Sequence, residues 1–147
     1  MRALGDEVLG DAAQRALQDI EVAGRLSTDF CKARAFMLLA VTPIAPTLPA
    51  VARRALATCD AYMRNAASES DLVAARVACW DEIKTLKCDL PDPRGNKYRL
   101  AITAVAAVAD FQDPGYFLGY FLDFAVKSGV DSEVLANQLR QHYELVT

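Results

Sequence analysis

The sequence lacks the common motifs of catalytic and metal-binding proteins. It contains no G-x-x-x-x-G-K-[ST] phosphate loop, no G-x-G-x-x-G fingerprint and no H-E-x-x-H zinc motif. Its four cysteines form no C-x-x-C pair, and no Cys/His spacing matches a zinc site. With a single histidine, the chain has no Glu-x-x-His pairs for a carboxylate di-metal centre. We therefore expect no enzyme, no metal and no cofactor.

The single histidine, His142, is the natural candidate for a general base. Such a base needs an acid or a nucleophile beside it. His142 instead lies in a polar segment near Arg140, Gln141 and Glu144. We interpret it as an exposed or helix-capping residue.

No run of lysine and arginine supplies a basic face. Lys and Arg number 16 against 19 Asp and Glu, the net charge is -3 and the pI is about 5.1. Nucleic-acid binders usually carry a basic patch, so we expect no nucleic-acid partner. A mildly acidic protein is better suited to a basic protein partner.

The sequence also lacks a secretory signal and a membrane span. Residues 1–20 carry acidic side chains where a signal peptide has its apolar core. Residues 35–52 are uncharged, but Pro43, Pro46 and Pro49 interrupt them, and a spanning helix needs about 20 apolar residues. These features predict a cytoplasmic protein that does not enter a membrane. The cysteines are then expected to be reduced and buried.

What the chain does have is a helical periodicity of 3.6 residues along most of its length. The pattern predicts an all-α, single-domain protein over residues 1–147, built as a bundle or orthogonal array of six or seven short helices. The first helix is expected from about Gly5 to Arg25, and the second from a cap at Ser27 or Thr28. A tandem array of helical hairpins would use the same elements and stays open.

Local signals place several of the later helices. Ser68 followed by Asp71 is typical of a capping box at the start of the fourth helix. The fifth, from Tyr98 to about Ala109, is apolar almost all round, which favours a place in the middle of the bundle. Asp113-Pro114 predicts the start of the sixth helix and Gly129 its end. The last helix should begin at Asp131 and pack through Val134, Leu135 and Leu139. Residues 85–97 form the longest predicted loop.

The sixth helix carries an aromatic group at spacings of one, three and four residues: Tyr116, Phe117, Tyr120, Phe121 and Phe124. The simplest interpretation is that the phenylalanines fill the core while Tyr116 and Tyr120 reach its rim. Exposed tyrosines are good interface anchors. An exposed aromatic stripe would also favour a homodimer.

Acidic residues cluster around the predicted loops: Asp81, Glu82, Asp89, Asp92, Asp110 and Asp113. If residues 81–92 lie beside residues 110–113, one end of the molecule is negative and could steer a basic partner. Helix capping and ordinary solvated surface explain the same residues without a partner. The turn Asp92-Pro93-Arg94-Gly95 is favourable by its chemistry alone.

The segment from Arg53 to Trp80 reads RRALATCDAYMRNAASESDLVAARVACW. An arginine-alanine helix leads into a short polar turn and a second alanine-rich helix with a basic residue and a large aromatic. Together with the alanine-rich helix that follows, residues 48–110 resemble the Ala/Arg-rich all-α immunity proteins of bacterial polymorphic-toxin systems. The resemblance implies a small cytoplasmic protein that binds a cognate toxin and blocks it.

We therefore expect an immunity protein that neutralises a basic toxin by direct contact. The predicted contact residues are Asp81, Glu82, Asp89, Asp92, Arg94, Tyr116 and Tyr120. Two alternatives stay open: a helical interaction or scaffold protein, and a small-molecule-binding regulator. A pocket lined by Trp80, Tyr116 and Tyr120 would favour the regulator.

Overall fold

Residues 11–145 are described in a computed structural model of the chain. This range contains seven α-helices and no β-strand. They are α1 (Ala12–Val22), α2 (Phe30–Val41), α3 (Ala50–Met63), α4 (Glu69–Leu86), α5 (Asn96–Ala104), α6 (Pro114–Lys127) and α7 (Ser132–His142). Short 3₁₀ turns lie at Thr42–Thr47, Pro93–Gly95 and Val108–Asp110. The predicted all-α class is confirmed, while residues 5–10 of the first predicted helix lie outside the described range.

The helices pack around one large core with α5 at its centre. Helix α5 contacts α3, α4 and α6, while α1 packs against α6 and α7. Phe36 and Phe121 are fully buried and meet edge to face at 5.9 Å between ring centroids. A second aromatic group stacks Phe30 on Phe111 at 4.5 Å. Such pairs contribute about 0.5–1.5 kcal/mol beyond the burial of their area.

Short-range signals fix most of the helix starts. The Ser68 hydroxyl accepts from the Asp71 amide, and the Asp71 carboxylate accepts from the Ser68 amide, so the capping box is confirmed. Asp113 caps α6 with Pro114 as its first residue, and Gly129 follows its end at φ +110°. The prediction for α2 was wrong by a residue or two, because Asp29 rather than Ser27 or Thr28 caps the Lys32 amide.

Helix α5 ends five residues before the predicted end at Ala109. The carbonyls at its end and just past it, which a continued helix would bond internally, accept instead from two arginine side chains. Arg34 donates to the carbonyls of Ala104 and Ala106, and Arg76 donates to that of Val105. Cations at a helix C-terminus also interact favourably with its dipole. The chain therefore leaves the helix at Val105.

Arg34 is the most unusual core residue, since its side chain is only 1% exposed. Its guanidinium carbon lies 4.0 Å from the Phe30 ring centroid and 5.1 Å from that of Tyr62. No carboxylate pairs with it among residues 11–145. Carbonyl oxygens and aromatic faces together offset the cost of removing this charge from water.

Two smaller expectations are wrong. Val134 was expected to pack in α7 but is 45% exposed, whereas Leu135 and Leu139 are buried as predicted. Cys31 is exposed, while Cys59, Cys79 and Cys88 are buried, and all four thiols are free. In the described part of the chain, no helix is both long and apolar enough to cross a membrane.

Candidate functional site

An apolar groove of about 280 Å³ opens between α4, α5 and α6. We call it the aromatic groove. Its lining consists of Trp80, Leu90, Arg99, Ile102, Thr103, Phe117, Tyr120 and Phe124. Trp80 comes from α4, Leu90 from the loop after it, and the other six from α5 and α6. The groove therefore brings residues that are far apart in the sequence to one surface.

Two tyrosines form the outer edge of the groove on α6. Tyr116 is 66% exposed and Tyr120 is 46% exposed, while Phe121 and Phe124 are buried in the core. The two tyrosine hydroxyls lie 3.0 Å apart and share a hydrogen bond, with the rings edge to face at 4.9 Å. This hydrogen bond raises the pKa of Tyr116. The predicted division between core phenylalanines and rim tyrosines is confirmed, although Phe117 is only half-buried.

Arg99 of α5 supplies the only charged side chain in the lining. Its guanidinium carbon lies 5.2 Å from the centroid of the Trp80 ring. In residues 11–145 the Arg99 side chain makes no ion pair, and its buried Nε has no hydrogen-bond partner. The cation–π contact with Trp80 holds the charge at the wall of the groove.

The loop that carries Leu90 is held against the start of α5. Helix α4 ends at Leu86 and is followed by Lys87, a left-handed residue with φ +55°. Gly95 then passes close to Cys88, so that a β-carbon at residue 95 would lie 2.7 Å from the Cys88 carbonyl oxygen. Only glycine permits this approach without a shift of the backbone. The contact positions the exposed Leu90 at the groove.

The predicted acidic residues differ in their surroundings. Asp81 directly follows Trp80 in the sequence, and Asp89 directly precedes Leu90. Both aspartate side chains are exposed. Glu82 is half-buried and lies near Tyr98, whose pKa is raised first by burial and then by the Glu82 charge. Among the predicted contact residues, Asp81 and Asp89 are therefore the acidic side chains that remain free to face a partner.

Asp92 and Arg94 form a pair within the turn before α5. Arg94 Nη2 lies 2.7 Å from Asp92 Oδ2, and the Arg94 amide donates to Asp92 Oδ1. The side-chain bond to Arg94 lowers the pKa of Asp92. The pair is explained by the turn itself, so its role in partner binding stays a prediction. Among residues 11–145, no hydrogen bond or ion pair joins residues 81–92 to residues 110–113.

His142 is half-buried and bonded rather than exposed. Its Nε2 lies 2.7 Å from the Lys32 carbonyl oxygen, and its ring packs near Phe36 and Tyr143. This contact ties α7 to α2. The described residues contain no group of three or more His, Cys, Asp or Glu side chains that could hold a metal ion.

A second, shallower groove of about 470 Å³ lies between α3 and α4. Its floor is made mostly of alanines, with Arg54 at one wall and Asp71 at another. Small side chains let the two helices approach closely, which accounts for the alanine-rich segment as a packing feature. Thr58 also lines the groove, and its hydroxyl donates to the Arg54 carbonyl.

Sequence reasoning anticipated part of the aromatic groove. Trp80 and Tyr120 do line one pocket, whereas Tyr116 lies beside it and contacts Tyr120. Leu90 and Arg99 were missed, because Leu90 sits in a predicted loop and Arg99 in a helix that appears almost wholly apolar. Comparison with protein families, curated proteins and solved structures finds no match to this chain.

Proposed function

We propose that the protein acts by binding another protein, and that this partner is a basic toxin which it neutralises. The observation that carries the proposal is the exposed aromatic surface around the groove. Trp80, Tyr116 and Tyr120 are all exposed there, beside Leu90. Tryptophan and tyrosine are the residues that most often dominate binding energy at protein interfaces.

Charge supports a basic partner. Asp81 and Asp89 adjoin Trp80 and Leu90 in sequence, and the whole chain carries a net charge of -3. Acidic groups at the rim of an aromatic surface would speed association with a basic protein and would disfavour acidic ones. Toxin neutralisation is the finer part of the proposal, and it rests on the resemblance of residues 48–110 to immunity proteins.

The test is capture of the partner followed by a toxicity assay. The tagged protein should retain one basic protein in equal amount from a lysate of its source organism. That partner should be toxic when expressed alone and harmless when co-expressed with this chain. A captured protein without toxicity, or no captured protein, would contradict neutralisation.

Variants then test the contact surface. Trp80→Ala and Tyr120→Ala should each weaken binding by tenfold or more, since removal of an aromatic anchor costs about 2 kcal/mol or more. Val134→Ala is the matched control, because Val134 is exposed but does not line the groove. Equal binding by all three variants would exclude the aromatic groove as the contact.

One observation favours a second candidate, a small-molecule-binding protein. Trp80 and Tyr120 line a single concave, mostly apolar pocket, which is the usual form of a ligand site. At 280 Å³ it lies just below the usual range of such sites, which is about 300–1,000 Å³. Its ligand would therefore be small.

A further inference from the structure

We infer that the aromatic groove binds a small carboxylic acid with an apolar body, and that Arg99 is the residue that holds its carboxylate. This inference rests on the second proposed function, the binding of a small molecule in the groove. It adds the chemical class of the ligand and the residue that selects it.

The charge of Arg99 is the first observation. Several other arginine side chains of residues 11–145 have clear partners: Arg34 and Arg76 donate to carbonyls, Arg94 pairs with Asp92, and Arg140 pairs with Asp19. The Arg99 guanidinium, in contrast, makes no hydrogen bond and no ion pair with any residue of the described range. A planar guanidinium with unused donors is suited to a carboxylate, which it can bind through two parallel bonds.

The walls of the groove are the second observation. Apart from Arg99, the lining presents aromatic and aliphatic surface from Trp80, Ile102 and Phe124, among others. Apolar walls lower the local polarity and so strengthen a charged hydrogen bond made beside them. The ligand should therefore carry one negative group and an aromatic or branched apolar body of about the size of a phenylalanine side chain.

The polar groups of the lining favour a free small molecule over the end of a peptide. The Thr103 hydroxyl already donates to the Leu100 carbonyl at 2.6 Å, and the Tyr120 hydroxyl is engaged with Tyr116. Few groups then remain to bond the amides of a peptide backbone, each of which is costly to bury without a partner. A ligand without backbone amides avoids that cost.

The position of Trp80 provides a direct readout. It is the single tryptophan of the chain and lines the groove, so a ligand bound there should change its fluorescence. We would titrate the full chain with 3-phenylpropionate and, separately, with 3-phenylpropionamide. The two probes share shape and apolar body and differ in charge.

We expect the acid to bind about tenfold more tightly than the amide, as for a hydrogen bond to a charged group. Arg99→Met keeps most of the apolar volume and should abolish this preference, while Arg99→Lys should retain part of it. Arg25→Met is the matched control, because it removes one exposed positive charge that does not line the groove. It should leave the preference unchanged.

The outcomes distinguish the role of Arg99 from the binding of a small molecule in the groove. Equal binding of acid and amide by the wild-type protein would overturn the role of Arg99 and leave the groove as a ligand site. Failure of both probes to bind would overturn the groove as well. Tighter binding of a short peptide ending in phenylalanine than of 3-phenylpropionate would overturn the assignment to a free small molecule. The comparison uses the wild-type chain first, so it holds even if an Arg99 variant does not fold.

Discussion

At the scale of single residues, Arg34 is a buried charge whose removal from water the core must offset. Its side chain is almost wholly removed from water, yet its donors meet only backbone carbonyls of Ala104 and Ala106. Phe30 and Tyr62 present their ring faces to the guanidinium. The residue is held by a site that only a long, planar cation fits.

Arg34→Met should therefore destabilise the protein by about 3 kcal/mol, because it leaves two buried carbonyls without donors. Arg34→Lys should recover little, since one ammonium group cannot reach both carbonyls in the same geometry. Urea unfolding, followed by circular dichroism, measures both changes.

Arg76→Met is the control for this prediction. Arg76 is half-buried and bonds one carbonyl, that of Val105, so its loss should cost about 1 kcal/mol. Equal effects of the two substitutions would show that burial of Arg34 adds nothing to its contribution.

At the scale of helices and loops, substitution of two glycines by alanine should change the stability in opposite directions. Gly95 precedes α5, and a β-carbon there would press on the Cys88 backbone at 2.7 Å. Gly119 lies within α6, where a β-carbon would make ordinary contacts with Gln14 and Leu17 at 3.6 and 3.8 Å. Glycine is therefore required at the first position and dispensable at the second.

Gly95→Ala should destabilise the protein by about 1–3 kcal/mol, because the backbone of the Leu90 loop must shift. Gly119→Ala should stabilise it by about 0.5–1 kcal/mol, the gain of alanine over glycine within a helix. Thermal unfolding of the two variants measures whether each is less or more stable than the wild-type protein. A destabilised Gly119→Ala would mean that α1 and α6 pack more tightly than the contact distances indicate.

The elements also separate what the sequence can predict from what it cannot. The starts of α4 and α6 were predicted because Ser68 with Asp71, and Asp113 with Pro114, act within one turn. The end of α5 was not, because Arg34 fixes it from 70 residues away along the chain. Likewise, the exposure of Tyr120 follows from the helical spacing of its segment. The placement of Leu90 and Arg99 in the same groove as Tyr120 depends on tertiary packing, which the sequence pattern does not show.

At the scale of the whole molecule, buried thiols make stability depend on alkaline pH. Burial raises the pKa of Cys59 and of Cys79 from 9.0 to about 11. Between these values the unfolded chain releases the thiol protons and the folded chain retains them. The contribution of these thiols to folding stability is therefore fully present well below pH 9 and is lost as the pH rises toward 11.

The loss of folding stability should reach up to about 3 kcal/mol for each thiol, because a shift of two pKa units corresponds to about that free energy. Urea unfolding at pH 7, 9 and 10.5 measures it. The double variant Cys59→Ala, Cys79→Ala should make the profile less steep, and Cys31→Ala should not, because Cys31 is exposed. A profile that is equally steep in all three proteins would assign the alkaline loss to other groups.

The difference in exposure among the cysteines has a practical consequence. Cys31 on α2 is the exposed thiol and Trp80 on α4 is the single tryptophan. A dye attached to Cys31 would therefore form a donor–acceptor pair with Trp80 in the unaltered chain. Energy transfer between the two would report how far the wall of the groove moves relative to α2 when a partner or a ligand arrives. The distance between the two elements can thus be followed without adding a cysteine or a tryptophan to the sequence.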